Sequence, residues 1–326
     1  MGQNSTAWQE RCKNGWKKGL LGLIVVLLAG CKVSSSSSDP HYGDDDSYYN
    51  HGYFLDARDT GRFFPTASWS LNHTSKACVG ETMYFETASG RVRVYGSPAY
   101  SENTFRAAAT ELDNRIDGVL NHFRMNWSDF IDERSAVAPY PKRLVACLSS
   151  RVTTTELSSA SLAAVAIAPY SGSWPYDAGR IFTHDLAHYV QENLSRYHSD
   201  QTLLPLWFAE GQATVVAGEP IAAAYQHYDY EPLWDVTAHD AGNASYRYQH
   251  YGLAYQYLEK ANGSLAMTLL LDLVQFMDWK GEYQGVISTG ESRAFVAAFD
   301  ALDLVDHRGQ YLSFARYRSD YHALVH

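Results

Sequence analysis

The stretch from Asp177 to Gly218 limits what this chain can fold into more than any other part of it. It carries His184-Asp185-Leu186-Ala187-His188 and, 22 residues beyond the second histidine, Glu210 within Trp207-Phe208-Ala209-Glu210-Gly211. Histidines at i and i+4 fall on one face of a helix, about one turn apart. Pro205 opens a second helix ending near Gly218, and a short connection lets that helix fold back so that Glu210 closes a triangle with the histidines. Two imidazoles and one carboxylate, with a fourth position left for water, form the ligand set of a catalytic zinc site. One residue is irregular: the usual pattern has Glu after the first histidine, and here it is Asp185.

Spacing alone is weak grounds for a metal site. With 13 histidines in 326 positions, chance places about half a His-x-x-x-His pair in such a chain. His322 and His326 provide an internal control. They share the spacing, but no acid follows His322 and no carboxylate-bearing helix follows the pair, which reads as surface or packing. The first pair differs in having Asp185 beside it and Glu210 after it.

The surrounding pattern predicts an α+β fold. Thr82–Thr87 and Arg91–Tyr95 read as strands about a Ser89-Gly90 turn. Phe105, Ala109, Leu112, Ile116, Leu120 and Phe123 recur at helical intervals after Ser101, predicting an amphipathic helix over 102–124. Arg143–Leu148 and Leu162–Ala168 are buried-strand candidates, and Asp177 is a candidate N-cap for the histidine helix. That helix is expected to bury Ile181, Leu186, Tyr189 or Val190, and Leu194. Helices are expected over 246–261, 265–277, 291–301 and in the tail, giving a sheet-bearing front half and a helical back half. The expected organisation is a β-rich region over 51–100 followed by a single domain over 101–326.

Phe182-Thr183-His184-Asp185-Leu186-Ala187-His188-Tyr189-Val190 and Leu206-Trp207-Phe208-Ala209-Glu210-Gly211-Gln212-Ala213 resemble the gluzincin metallopeptidases, the thermolysin-like and aminopeptidase-N-like zincins. The likeness is specific around these two helices and looser over 91–325. It implies a zincin-like fold in which His184, His188 and Glu210 bind Zn2+. It also implies that Gly211 lets helices approach closely and that the strand just before the histidine helix pairs with extended substrate backbone. Arg247-Tyr248-Gln249-His250-Tyr251 leading to Tyr257-Leu258 is similar to the tyrosine-bearing helix of the aminopeptidase-N-like members. In that register Tyr248 steadies the oxyanion, with Tyr246 and Tyr251 as rivals and a plain cleft lining as the other reading.

The activity implied is hydrolysis of peptide bonds in a peptide or protein substrate by a metal-activated water. Asp185 would serve as a shortened general base, one methylene, or about 1.5 Å, short of the usual Glu, where a misplacement near 1 Å costs on the order of 100-fold. The alternative is a catalytically weak or inactive protein of zincin fold that binds or structures the cell envelope. A third reading, two satisfied core histidines in a structural lipoprotein, needs Glu210 and its context to be accidental. No residue defines a side-chain specificity pocket, and no motif for capturing a free N-terminus is evident.

The N-terminus reads as a targeting segment. Arg11, Lys13, Lys17 and Lys18 precede a ten-residue apolar run, Leu20 to Ala29, which is shorter than the ~20 residues a spanning helix needs. Leu28-Ala29-Gly30-Cys31 resembles the bacterial lipoprotein lipobox. The resemblance implies cleavage of residues 1–30 and lipidation (palmitate among the acyl chains) at Cys31, against an ordinary signal peptide with a coincidental cysteine. Lys32 in place of Asp leans toward the outer membrane, facing periplasm or cell surface. Residues 31–50, with Ser34–Ser38 and Asp44–Asp46, read as a disordered tether.

Losing residues 1–30 removes four basic groups and one acid, which takes the formal charge from −10 to −13. A surface so acidic offers no footprint for nucleic acid, and the lipid anchor must supply membrane attachment. Cys78 and Cys147 then remain, an even pair in an oxidising compartment. They are expected to form a disulfide, the other reading being two separate buried thiols.

Overall fold

The computed structural model describes residues 60–65, 82–136, 143–152, 157–160, 164–169, 174, 177–195, 203–224, 244–283, 285–286 and 291–325. The leader, Cys31, the tether, Cys78 and His326 lie outside the described residues.

The architecture is mixed α+β, with one six-stranded mixed sheet and eight helices among the described residues. Strands β1 (Arg62–Pro65), β2 (Met83–Glu86) and β3 (Val92–Gly96) run antiparallel, and the β2–β3 turn places Gly90 at φ +72°. Glycine enters that left-handed region without the steric cost a Cβ carries. Helix α1 (Glu102–His122) starts where Ser101 accepts the Thr104 N–H at 3.2 Å, a side-chain cap for one orphan donor. Helix α2 (Trp127–Ala136) follows, and the chain returns as β4 (Leu144–Leu148), parallel to β3. All five β4 residues are buried, as expected of a strand covered on both faces.

Strand β5 (Ser158–Ala160) then forms the sheet edge. Strand β6 (Val165–Ile167) inserts between β4 and β5, parallel to the first and antiparallel to the second, giving the order β1-β2-β3-β4-β6-β5. This corrects the expectation that the strand just before the histidine helix is the one open to substrate. Both hydrogen-bonding edges of β6 are already taken, and β5 is the terminal strand among the described residues. The Ser-Ser-Ala sequence of β5 has no β-branched or aromatic residue to announce a strand.

One face of the sheet, with Phe85, Val94, Leu144, Ala146, Val165 and Ile167, packs against Phe105, Leu112 and Ile116 of α1 and against Phe182, Leu186 and Val190 of α3 (Ala178–Ser195). The other face carries a smaller cluster that includes Tyr95, Val145, Cys147 and Ala166. Alternation along each strand produces this division. The β-rich front segment therefore shares one sheet with β4–β6.

The back half is helical: α4 (Leu206–Val216), α5 (Ala244–Asn262), α6 (Ser264–Lys280), α7 (Arg293–Ala301) and α8 (Phe314–Leu324). Trp207 and Phe208 seat α4 in an aromatic core. Ring centroids lie 5.4 Å apart for Phe208–Tyr255, 5.3 Å for Phe208–Phe295 and 5.7 Å for Trp207–Tyr317. Helix α4 also packs on α3, so it joins the two halves. A Cβ at Gly211 would lie 2.2 Å from the Tyr251 carbonyl oxygen, so only glycine lets α4 and α5 pack this closely. No helix among the described residues is long and apolar enough to cross a membrane.

Candidate metal centre

Helix α3 spans the predicted histidine helix, and the Asp177 carbonyl accepts from Arg180 N–H (2.9 Å) and Ile181 N–H (3.2 Å) at its start. Leu186, Tyr189, Val190 and Leu194 are buried, while Ile181 is half-buried. With that face fixed in the core, His184 and His188 point together toward α4, where Pro205 precedes the first turn and Glu210 faces back. The closing contacts are His184 Nε2 to Glu210 Oε2 at 3.1 Å, His188 Nε2 to Glu210 Oε2 at 3.3 Å and His188 Nε2 to His184 Nε2 at 3.0 Å.

These three atoms form a nearly equilateral triangle. Ligand atoms around a tetrahedral zinc at about 2.0–2.1 Å stand about 3.3–3.4 Å apart, so a point about 2.0–2.1 Å from all three lies about 1 Å above their plane. The chemistry of the donors agrees with the size. His184 Nδ1 faces Glu219 Oε1 at 3.1 Å and His188 Nδ1 faces Gln191 Oε1 at 2.8 Å. Carboxylate and amide oxygens only accept, so both Nδ1 atoms carry hydrogen and both Nε2 atoms are left for the triangle. Among the described residues, Glu210, His184 and His188 are those that could hold a divalent cation, and they fit one.

Without a cation, the same groups compete for protons. Burial works against a charged His184, but hydrogen bonds and charge from Glu210 and Glu219 outweigh it and raise its pKa to about 10. Burial also opposes the charge on His188, and Glu210 overcomes it, so that pKa is raised too. Glu210 is held well below the usual carboxylate range by the two histidines, despite its burial.

Asp185 is buried against the sheet edge, and the Ser158 hydroxyl of β5 donates to its Oδ2. Burial raises its pKa, partly offset by the Ser158 bond and the histidines. Among the described tyrosines, Tyr248 on α5 stands beside the triangle, with ring centroids 5.9 Å apart from His184. Its phenol is pushed up by burial and by the charges of Glu210, Glu219 and Asp185. Its rivals are placed otherwise: Tyr246 is about half exposed, and Tyr251 is buried in the core.

Four residues of the site escaped the sequence reading. Glu219 directly follows Gly218, whose φ of +64° ends α4; an acid just past a helix-ending glycine was the available signal. Gln191 and Gln212 sit three residues after His188 and two after Glu210, and both are buried. Gln212 was marked only as an amide between Gly211 and Ala213, and Gln191, followed by Glu192 and Asn193, carried no mark. Ser158 carried none.

Of the expected disulfide, Cys147 is buried on β4 and Cys78 lies outside the described residues. A scan against protein-family models found no match for this chain, and a search of curated proteins found none either.

Proposed function

We propose that this chain is a lipid-anchored zinc peptidase of gluzincin type, acting on peptides or proteins in a bacterial envelope. The observation that carries the reading is the triangle of His184 Nε2, His188 Nε2 and Glu210 Oε2. A zincin-like assignment of the fold draws support from the packing of α3 under a mixed sheet, from the short edge strand β5 beside it and from the glutamate-bearing α4. Bound at the triangle, Zn2+ would supply Lewis-acid polarisation of a carbonyl and acidify a water.

The chain's own residues supply the rest. Glu219 and Gln191 hold the two imidazoles with Nε2 facing inward. Asp185, buried at the edge strand with a raised pKa, takes a proton from the attacking water and hands it to the leaving amine. Ser158 fixes the direction of its carboxylate. Tyr248 stays protonated at neutral pH because burial and three carboxylates oppose its ionisation, so it remains a donor for the oxyanion that forms on the scissile carbonyl.

A second reading has its own observation. Asp185 is one methylene shorter than the usual Glu, and one of its oxygens is already engaged by Ser158. This favours a zincin-fold envelope protein that keeps its metal and cleaves little or nothing. A peptide-library digest with the full-length lipoprotein in detergent decides between them. The peptidase reading expects cleavage by wild type that is abolished by His188→Ala. If zinc-loaded wild type and Asp185→Glu both leave every peptide intact, the binding-protein reading holds.

A further inference from the structure

We infer that Gln191 is a positioning residue of the metal centre. It dictates which nitrogen of His188 faces the triangle and ties the two ligand-bearing helices together. The inference rests on the zinc reading above.

Gln191 lies three residues after His188 on α3 and is only 1% exposed. Its Nε2 donates to the Ala209 carbonyl oxygen at 2.9 Å and to Gln212 Oε1 at 2.9 Å. A backbone carbonyl can only accept, so the amide nitrogen must face it and the amide oxygen is left for His188 Nδ1, 2.8 Å away. That oxygen also only accepts, so Nδ1 carries the hydrogen and Nε2 presents its lone pair to the triangle. Ala209 immediately precedes Glu210. One amide therefore joins the second ligand to the backbone that carries the third.

The polarity is enforced a second time from the far end. Gln212 is 1% exposed, and its Nε2 donates to the Tyr255 hydroxyl at 2.9 Å. Tyr255 is fully buried and faces Glu259 Oε1 at 3.4 Å, and that oxygen also meets His122 Nε2 at 2.9 Å. A carboxylate only accepts, so Tyr255 donates to it and receives from Gln212, which then turns its own oxygen to Gln191. Carbonyl and carboxylate, at two different points of the chain, demand the same direction. Reversing either amide would set two donors or two acceptors face to face in the interior. The two histidines are thus oriented by different devices. His184 leans on a carboxylate, Glu219, and His188 on a buried chain of neutral amides.

The test uses the full chain in detergent, titrated with zinc against a chelating dye, together with nitrogen-15 NMR of the histidine rings in the zinc-loaded protein. The variants are Gln191→Met, which removes all three hydrogen bonds, and Tyr255→Phe, which removes the far anchor. Gln191→Met is expected to bind zinc about 10–100-fold more weakly, with the His188 Nδ1–H signal lost to solvent exchange and the His184 Nδ1–H signal retained. Should Gln191→Met fail to fold, Tyr255→Phe is expected to shift affinity and the His188 signal in the same direction by a smaller factor. Zinc affinity within about threefold of wild type and an unchanged His188 signal would overturn the inference, as would equal loss of both histidine signals, which marks general loosening. Wild type that takes up no zinc would overturn the zinc reading and this inference with it.

Discussion

Three carboxylates serve one histidine pair in three different ways. Glu210 closes the triangle, Glu219 holds His184 from behind, and Asp185 sits to one side under the Ser158 hydroxyl. The two histidines of the triangle were legible as a pair because their spacing is set by helix geometry, and Glu210 by the helix context around it. The groups that orient these side chains were not: Glu219 reaches His184 from beyond α4 and Ser158 reaches Asp185 from a sheet edge, contacts across elements that no local pattern encodes, while Gln191 shares α3 with His188 but stands in an unremarkable polar stretch. Tyr248 lay between, with three tyrosines competing, and only the packing of α5 put one ring against His184. Its role yields a prediction at this scale. Tyr248→Phe should lower kcat by about 10²–10³-fold, the usual loss for one oxyanion donor, with zinc content unchanged; steady-state kinetics beside metal analysis checks both parts. An unchanged kcat would return Tyr248 to cleft lining.

Among the elements, those with a strong period or a buried run were readable: α1, α3, α4, β2, β3, β4, β6 and the four C-terminal helices. Helix α2 and strands β1 and β5 were not, since four residues of Arg-Phe-Phe-Pro or three of Ser-Ser-Ala carry too little pattern. The consequence for function was a misassigned edge strand, because β6 looks the more strand-like of the pair yet is interior. Helix α4 is the element on which both halves converge, with aromatic rings on one side, Glu210 on another and Gly211 against the α5 backbone. Gly211→Ala forces a methyl to within 2.2 Å of the Tyr251 carbonyl oxygen, so the helices must part. Overpacking of this kind costs about 1–3 kcal/mol. Because the displaced helix carries Glu210, zinc affinity should fall along with the melting temperature. Calorimetry with and without zinc measures both, and a variant as stable as wild type would contradict the packing argument.

At the scale of the whole molecule, the His184–His188–Glu210 triangle bridges the sheet-bearing half and the helical half, so its state should register in global stability. In the metal-free protein His184 has its pKa raised from 6.5 to about 10. The stability that proton contributes is complete below 6.5 and is lost as pH rises toward 10. Glu210, pulled below its ordinary value of 4.5, contributes above that value and loses its contribution only as pH falls through its lowered pKa. Metal-free protein should therefore lose melting temperature between pH 6.5 and 8.5. The zinc-loaded protein, in which a cation replaces the proton, should not. Melting curves across that window check the sign, and parallel curves for the two forms would contradict it. The lipobox-like Cys31 and the Cys78–Cys147 pairing belong to this scale too. Both remain proposals from sequence, to be read by mass spectrometry of the mature protein.

The central claim is that His184, His188 and Glu210 form a zinc site, and zinc stoichiometry tests it most directly. Chelator-stripped full-length protein is dialysed against buffered zinc and the bound metal is quantified, for wild type and for Glu210→Gln. The predicted result is about one zinc per wild-type chain, with binding by Glu210→Gln weakened by about 100-fold or more, since a carboxylate ligand is replaced by a neutral amide. Wild type that stays free of zinc, or a Glu210→Gln variant that binds it equally well, would contradict the account.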